Sequence, residues 1–258
     1  ASIEGQEKMT PELLAAIEKA TTQVELEDLY LPYRPKRKTR ASVARERGLE
    51  PLAELLLAQE KTYDPAIEVQ AEGFVDPEKE VNTVEEALQG AMDIIAEDVS
   101  DNAEYRKKLR ALTFDHGSLA TKAAKEEDSV YSMYYDFAEA IKKLPGHRIL
   151  AINRGEKEEF LKVSLTVPEE VVLGFLYNCV LTSTESPATP YVRDAVTDSY
   201  TRLIAPSIER EIRNDLFDNA CEGAIKVFSD NLSHLLMQPP LKGKVVLLDF
   251  HLFSGEGS

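Results

Sequence analysis

The sequence has few of the features that mark redox, secreted or membrane proteins. Only two of its 258 residues are cysteines, Cys179 and Cys221, and they lie far apart without a CxxC pair. This spacing suggests neither a disulfide framework nor a zinc site, so we expect reduced, mostly buried thiols. The longest apolar runs, such as Val245–Leu248, are strand-sized, far below the ~20 residues that span a bilayer. With no signal-peptide pattern at its start, the chain is predicted to be cytoplasmic and without a membrane partner.

The common catalytic and metal-binding motifs are also missing. The chain has no dinucleotide fingerprint, P-loop, GxSxG elbow, HExxH or EF-hand loop. The four histidines have spacings that fit no metal site, and they fall on different predicted elements: His116, His147, His234 and His251. We therefore predict no catalytic residue, no cofactor and no metal.

Carboxylates are abundant, so a hydrolase with two paired acids stays open as an alternative. Such a site needs two carboxylates about 5–10 Å apart across a cleft. Glu158 with Glu159, and Glu209 with Glu211, are the candidates. A solvated helix face explains both pairs better.

One short basic segment stands out in an acidic chain. The formal net charge is −16, which should repel nucleic acid overall, yet Leu31–Arg47 holds seven basic residues and one acid. Clustered Lys and Arg bind phosphates, and tyrosines stack on unpaired bases. The candidate nucleic-acid-binding residues are Tyr30, Tyr33, Arg34, Lys36, Arg37, Lys38, Arg40, Arg45 and Arg47. Alternatively, these cations pair with the protein's own carboxylates and the tyrosines pack on a neighbouring helix.

Apolar periodicity predicts a mainly α fold, a multi-helix array or bundle with one or two short strands and a long C-terminal spine helix. Pro-initiated helices are predicted at Thr10–Pro11 and after Gly48. We expect Asp115–Ser129 to be irregular and Phe137–Leu144 to be a short helix. The predicted organisation is a helical segment, 1–62, with a basic extended arm, 30–47; a central helical domain, 63–182, with a strand near 160–167; a linker and spine helices, 183–243; and an orphan strand with a divergent tail, 244–258.

Several long motifs in collinear order resemble the Tex family of bacterial transcription accessory proteins. The matching stretches span about residues 1–246: Leu29–Ala41, Ala44–Ala53, Leu144–Glu156, Pro206–Glu211 and Asn231–Lys244. The resemblance implies a multidomain, largely helical cytosolic protein. In the family, nucleic acid is bound mainly by a C-terminal oligonucleotide-binding-fold domain preceded by helix-hairpin-helix elements, and an RNase H-like domain, thought inactive, comes before those.

The resemblance is lost at the end of the chain. The family continues from the strand near Lys244 into a turn that opens the RNase H-like domain, whereas this chain runs Leu247–Phe253 and ends shortly afterwards. We transfer no role to Asp249, which lies one position from the family's acid. We expect a fragment that begins after the family's N-terminal helices and stops at the RNase H-like domain.

These observations lead to a functional expectation and two alternatives. We expect a non-catalytic scaffold with at most weak, sequence-independent RNA or DNA binding through the basic arm. The first alternative is a scaffold that docks on RNA polymerase or other transcription proteins, or on the parent protein's other domains. Self-association through the Val245–Phe250 strand is a further expectation, and the paired-carboxylate hydrolase is the second alternative.

Overall fold

Helices dominate the residues that the computed structural model describes, which are 10–20, 23–31, 38–125 and 127–237. Eleven α-helices lie in these ranges: α1 (Pro11–Lys19), α2 (Gln23–Tyr30), α3 (Arg40–Glu46), α4 (Glu50–Ala58), α5 (Ile67–Glu72), α6 (Val84–Asp101), α7 (Ala103–His116), α8 (Gly146–Lys157), α9 (Glu169–Val180), α10 (Thr189–Asp198) and α11 (Ala205–Leu236). Three strands also lie there: β1 (Ser118–Ala123), β2 (Asp136–Ala140) and β3 (Leu161–Thr166). The mainly α fold class with a long final helix is confirmed. The predicted strand at Val245–Phe250 lies outside the described residues.

Local capping chemistry explains where several helices begin. The Thr10 hydroxyl accepts a hydrogen bond from the Leu13 amide, and Pro11 occupies the first turn of α1. The Thr83 hydroxyl likewise caps α6 by accepting from the Glu86 amide. Side-chain caps of this kind satisfy amides that have no partner within the helix. The start of α1 predicted from Thr10 and Pro11 is confirmed.

The chain from α10 to α11 stays helical through a π-helical segment, Ser199–Ile204. Both junction residues, Ser199 and Ala205, keep right-handed helical dihedrals. Pro206 follows immediately, and proline cannot donate the i to i−4 hydrogen bond of an α-helix. A π turn is a common way to absorb such a break, so the long C-terminal helix runs from Thr189 to Leu236.

A small antiparallel sheet corrects two of the sequence predictions. The strands lie in the order β2-β1-β3, with Thr121 opposite Phe137 on one side and Val163 on the other. The expectation of irregular chain over Asp115–Ser129 is wrong because β1 lies there, and the expected helix over Phe137–Leu144 is wrong because β2 and a 3-10 turn lie there. Pairing between separate segments decides both cases, since the local preference of a sequence is weak and tertiary contacts override it.

Two groups of buried apolar side chains hold the elements together. The larger combines helices α3 to α7 with α9, α10 and the first half of α11, and α6 contributes Ile94 and Ile95 at its centre. The smaller lies between the sheet and α8 and includes Ile152 and Leu161. The helix α11 joins them because Leu216 packs against both groups.

The second half of α11 leaves this core. Ala220 is its last buried residue, and the side chains from Glu222 to Met237 are exposed. Val227 and Leu235 are 61% and 65% exposed.

The prediction that both cysteines are mostly buried is wrong. Cys179 is exposed and Cys221 is half-buried, and both are free thiols.

Candidate nucleic-acid interface

The described end of the basic arm leads into α3, which packs closely on α6. Thr39 and Ser42 form a capping box in which each side chain accepts a hydrogen bond from the other residue's amide, and this begins α3 at Arg40. The close packing depends on Gly90 of α6. A Cβ added there would lie 2.3 Å from Leu49 Cδ1 and 3.3 Å from Ala44 Cβ. A larger residue there would require the buried Leu49 side chain to shift and would press on Ala44 of α3.

Three of the candidate residues line one groove between α3 and α6. Lys38, Arg40 and Arg47 border an open groove of about 760 Å³. Its acidic lining residues are Glu80, Glu86 and Asp93, and its neutral polar ones include Asn82 and Gln89. The groove therefore carries as many acids as bases among its lining side chains, which limits its attraction for phosphate.

The cations of the groove differ in how firmly they are held by the protein's own acids. Arg47 donates to Glu80 Oε2 at 2.8 Å. The Lys38 ammonium lies 3.8 Å from Glu46, and both side chains are well exposed. Exposed pairs of this geometry contribute little. Lys38 and Arg40, which are both exposed, are therefore more readily available to a ligand than Arg47.

Arg45 is held in contacts of a structural kind. Its guanidinium donates to Glu97 at 2.7 Å and to Asp98 at 2.5 Å. Burial opposes its charged form, but the hydrogen bond to Glu97 and the two neighbouring carboxylates raise the pKa of Arg45 above its usual value. Arg45 therefore pairs with the protein's own carboxylates, as the alternative interpretation of the basic segment predicts.

Asp93 also lines this groove, and its carboxylate is buried beside two arginines. Its side chain is 10% exposed, and burial raises the pKa of its carboxyl although Arg202 and Arg40 oppose that shift. Its Oδ1 atom lies 3.5 Å from Arg202 and has no hydrogen-bond partner among the described residues. Arg202 makes its closer contacts with Asp198.

A buried ionic cluster fixes α2, the helix that leads into the arm, to the rest of the molecule. Asp28 of α2 accepts from Arg106 and from Arg110 of α7, each at 2.9 Å. The same two arginines donate to Glu211 of α11 at 2.8 and 2.6 Å. Neither Asp28 nor the arginines were identified from the sequence. The only local signal is the i, i+4 spacing of two arginines on one helix.

Of the remaining candidate residues, one is described by the structure and four are not. Tyr30 ends α2 and is half-buried. Four candidates lie outside the described residues: Tyr33, Arg34, Lys36 and Arg37. The structure thus brings Lys38, Arg40 and Arg47 to one groove and directs Arg45 to another set of partners.

Three of the four carboxylates considered for a hydrolase occupy ordinary structural contacts, and the fourth, Glu159, is well exposed. Glu158 accepts from the Tyr131 hydroxyl at 2.9 Å and from Arg154. Glu209 accepts from the Leu165 amide at 3.1 Å, and Glu211 belongs to the ionic cluster. Among the described ranges, no group of three or more potential ligands is placed to hold a metal ion. Within those same ranges, no helix has the length and apolar character needed to cross a membrane.

The fold and these contacts define a helical module with a charged surface groove and an internally paired ionic framework. The chain belongs to the family described as Tex central region-like, whose family model matches residues 60–228. The resemblance drawn from the sequence motifs is therefore confirmed.

Relatives of known name agree with this family. The chain is 44% identical to protein YdcI of Bacillus subtilis, over 94% of this chain and 34% of the relative. It is 35% identical to the transcriptional accessory protein Tex of Neisseria gonorrhoeae, over 93% of this chain and 32% of that protein. It is 29% identical to the S1 RNA-binding domain-containing protein 1 of Pongo abelii, over 95% of this chain and 26% of that protein. The chain spans about a third or less of the length of these curated relatives.

Proposed function

We propose that this chain is the non-catalytic helical scaffold of a cytoplasmic, nucleic-acid-binding transcription accessory protein. In this proposal the chain contributes weak, sequence-independent RNA or DNA binding through the basic arm. Family membership supports the transcriptional role, because a relative is named a transcriptional accessory protein and another an S1 RNA-binding domain-containing protein. The observation that carries the binding role is the exposure of Lys38 and Arg40 at the mouth of the α3–α6 groove.

Charge reversal in the arm tests the binding role. We expect Arg37→Glu, Lys38→Glu and Arg40→Glu together to abolish the binding of a labelled single-stranded RNA measured by fluorescence anisotropy at about 50 mM salt, because phosphate contacts supply this affinity. The matched control reverses three exposed lysines elsewhere, Lys61, Lys122 and Lys226, which gives the same net charge. Unchanged binding by the arm variant would refute the role of the arm.

A second candidate function, docking on the transcription machinery, is favoured by the end of α11. Ile225, Phe228, Leu232 and Leu235 repeat at spacings of three and four residues, the pattern of a helix that pairs with another helix. Ile225 and Phe228 are each 68% exposed, and exposed apolar stripes of this kind mark interaction surfaces. The partner proposed is an amphipathic helix of RNA polymerase or of a protein bound to it.

Purified RNA polymerase provides the test of this second candidate. We expect the wild-type chain to bind the polymerase in a biolayer experiment, and Phe228→Asp with Leu232→Asp to lose that binding. Ser233→Asp with His234→Asp is the control, because it adds the same formal charge to the same helix on the side away from the stripe. Equal binding by both variants would exclude the stripe, and self-association of the wild-type chain in light scattering would point to a second copy instead.

A further inference from the structure

A second charged groove lies between α8 and α11, far in sequence from the basic arm. The two helices approach closely where Gly146 meets Ala220, at a distance that leaves 3.4 Å between a Cβ added to Gly146 and Ala220 Cα. Arg213 of α11 donates to Glu156 near the other end of α8. The helices are therefore antiparallel, and their solvent-facing sides form the two walls of the groove.

The residues of the two walls follow helical periodicity, so each wall is one continuous helix face. The groove has a volume of about 960 Å³. Its α8 wall comprises Leu150, Asn153, Arg154, Lys157 and Glu158. Its α11 wall comprises Pro206, Glu209, Arg210, Arg213, Asn214 and Phe217. Four basic and two acidic side chains give this lining an excess of positive charge in a chain whose net charge is −16.

The acids of this groove are already occupied, whereas two of its cations are available. Glu209 accepts from the Leu165 amide, and Glu158 accepts from Tyr131 and Arg154. Lys157 and Arg210, one on each wall, are exposed and have no ion-pair partner among the described residues. Two unpaired cations on facing helices form an electrostatic site for an anion that lies along the groove.

The neutral lining favours a nucleic acid over a simple anion. Asn153 and Asn214 provide amide donors and acceptors, and Phe217 is 40% exposed. Exposed aromatic rings beside a basic groove stack on unpaired bases with little dependence on sequence. A simple anion would use only the cations, whereas a single strand would use the cations through its phosphates and the ring through a stacked base.

We propose that the α8–α11 groove is a second nucleic-acid-binding site, which holds the phosphate backbone of a single strand between Lys157 and Arg210 and stacks a base on Phe217. This inference rests on the proposed nucleic-acid-binding function but concerns a surface separate from the basic arm. It makes the binding footprint of the chain bipartite.

The test measures anisotropy of a labelled 12-nucleotide single-stranded RNA with the full chain between about 50 and 200 mM salt. Lys157→Glu with Arg210→Glu is expected to weaken binding at least tenfold at the lower salt. Lys157→Gln with Arg210→Gln is expected to lower the slope of log affinity against log salt by about 1.4, since each phosphate contact on a single strand contributes about 0.7. Phe217→Ala should weaken binding at least about fivefold without changing that slope, because stacking is not ionic.

Matched controls separate this proposal from the arm. Lys61→Glu with Lys226→Glu makes the same change in net charge at exposed positions outside both grooves and should bind as wild type. Normal RNA binding by the Lys157 and Arg210 variants, with binding lost only in the arm variant, overturns the second site and leaves the proposed function intact. A groove variant that binds RNA normally but loses a labelled oligoglutamate also overturns it and indicates an acidic protein partner. Loss in the groove variant with an unaffected arm variant supports the second site and refutes the arm.

Discussion

Among single residues, those of the buried Asp28–Arg106–Arg110–Glu211 cluster are expected to contribute most to stability. Asp28 and Arg106 have side chains that are 8% and 5% exposed. Removing one partner of a buried pair leaves an uncompensated charge, which costs about 3–5 kcal/mol. Asp28→Ala should therefore lower the free energy of unfolding by about 3 kcal/mol, measured by urea denaturation.

An exposed acid provides the control for this prediction. Glu80 pairs with Arg47 but its side chain is 81% exposed, so Glu80→Ala should cost less than about 1 kcal/mol. Equal effects of the two substitutions would show that α2 is not fixed to the body by the cluster.

Substitution of Asp93, in contrast, is expected to stabilise the protein. Burial raises the pKa of Asp93 in the folded protein, so its ionised form opposes folding: the stability present below the unfolded pKa is lost as pH rises through the folded pKa. Asp93→Asn should raise the Tm at pH 7 by roughly 2–4 °C. The gain should shrink as pH is lowered and the wild-type carboxyl takes up its proton. A variant less stable than wild type at pH 7 would mean that attraction to Arg202 outweighs burial.

Residue-level features were predictable only where their cause is local. Thr10 before Pro11 indicates a helix start, and the structure has one there. The partners of Asp28 lie 78 and 82 residues away along the chain, so no local pattern could connect them. Asp93 likewise appears in the sequence as one of several acids off the apolar stripe of α6, and its burial follows from the packing of α3 and α10 around it.

Among the elements, the contact of α3 with α6 depends on the absence of a side chain at Gly90. Alanine is a better helix former than glycine by about 1 kcal/mol, yet a Cβ at this position would lie 2.3 Å from the buried Leu49 side chain. Overpacking of a core typically costs about 1–3 kcal/mol. We expect Gly90→Ala to lower the free energy of unfolding, measured by urea denaturation.

Gly174 of α9 provides a matched control, because nothing lies within 4 Å of a Cβ added there. Gly174→Ala should stabilise the protein by about 0.5–1 kcal/mol through helix propensity. If both substitutions stabilise the chain equally, then α3 does not pack on α6 through this glycine.

Elements with strong apolar periodicity were predictable, and elements made by pairing were not. The stripe from Val84 to Val99 indicates a helix, and α6 occupies that stretch. The sequences of β1 and β2 contain mostly small and charged residues, and only their pairing across the sheet makes them strands. The alternation of Phe160–Val167 stands out because β3 has apolar residues facing the smaller core.

In the molecule as a whole, the apolar periodicity of α11 predicts the helix but not the point at which the helix leaves the core. Ile208 and Ile212 are buried while Val227 and Leu235 are exposed, although all four fit one helical pattern. Periodicity reports that a face is apolar and not what covers it. The two grooves could not be predicted from the sequence for a related reason, because each forms only when the fold brings two helices together.

The central claim is that this acidic scaffold still binds nucleic acid weakly through local basic surfaces. The most direct measurement is fluorescence anisotropy of labelled single- and double-stranded RNA and DNA with the wild-type chain at about 50 and 200 mM salt. We expect measurable binding at the lower salt, little dependence on sequence, and a steep loss at the higher salt because the contacts are to phosphates. Absence of binding at both salt concentrations would contradict it and would leave the chain as a scaffold without a nucleic-acid surface of its own.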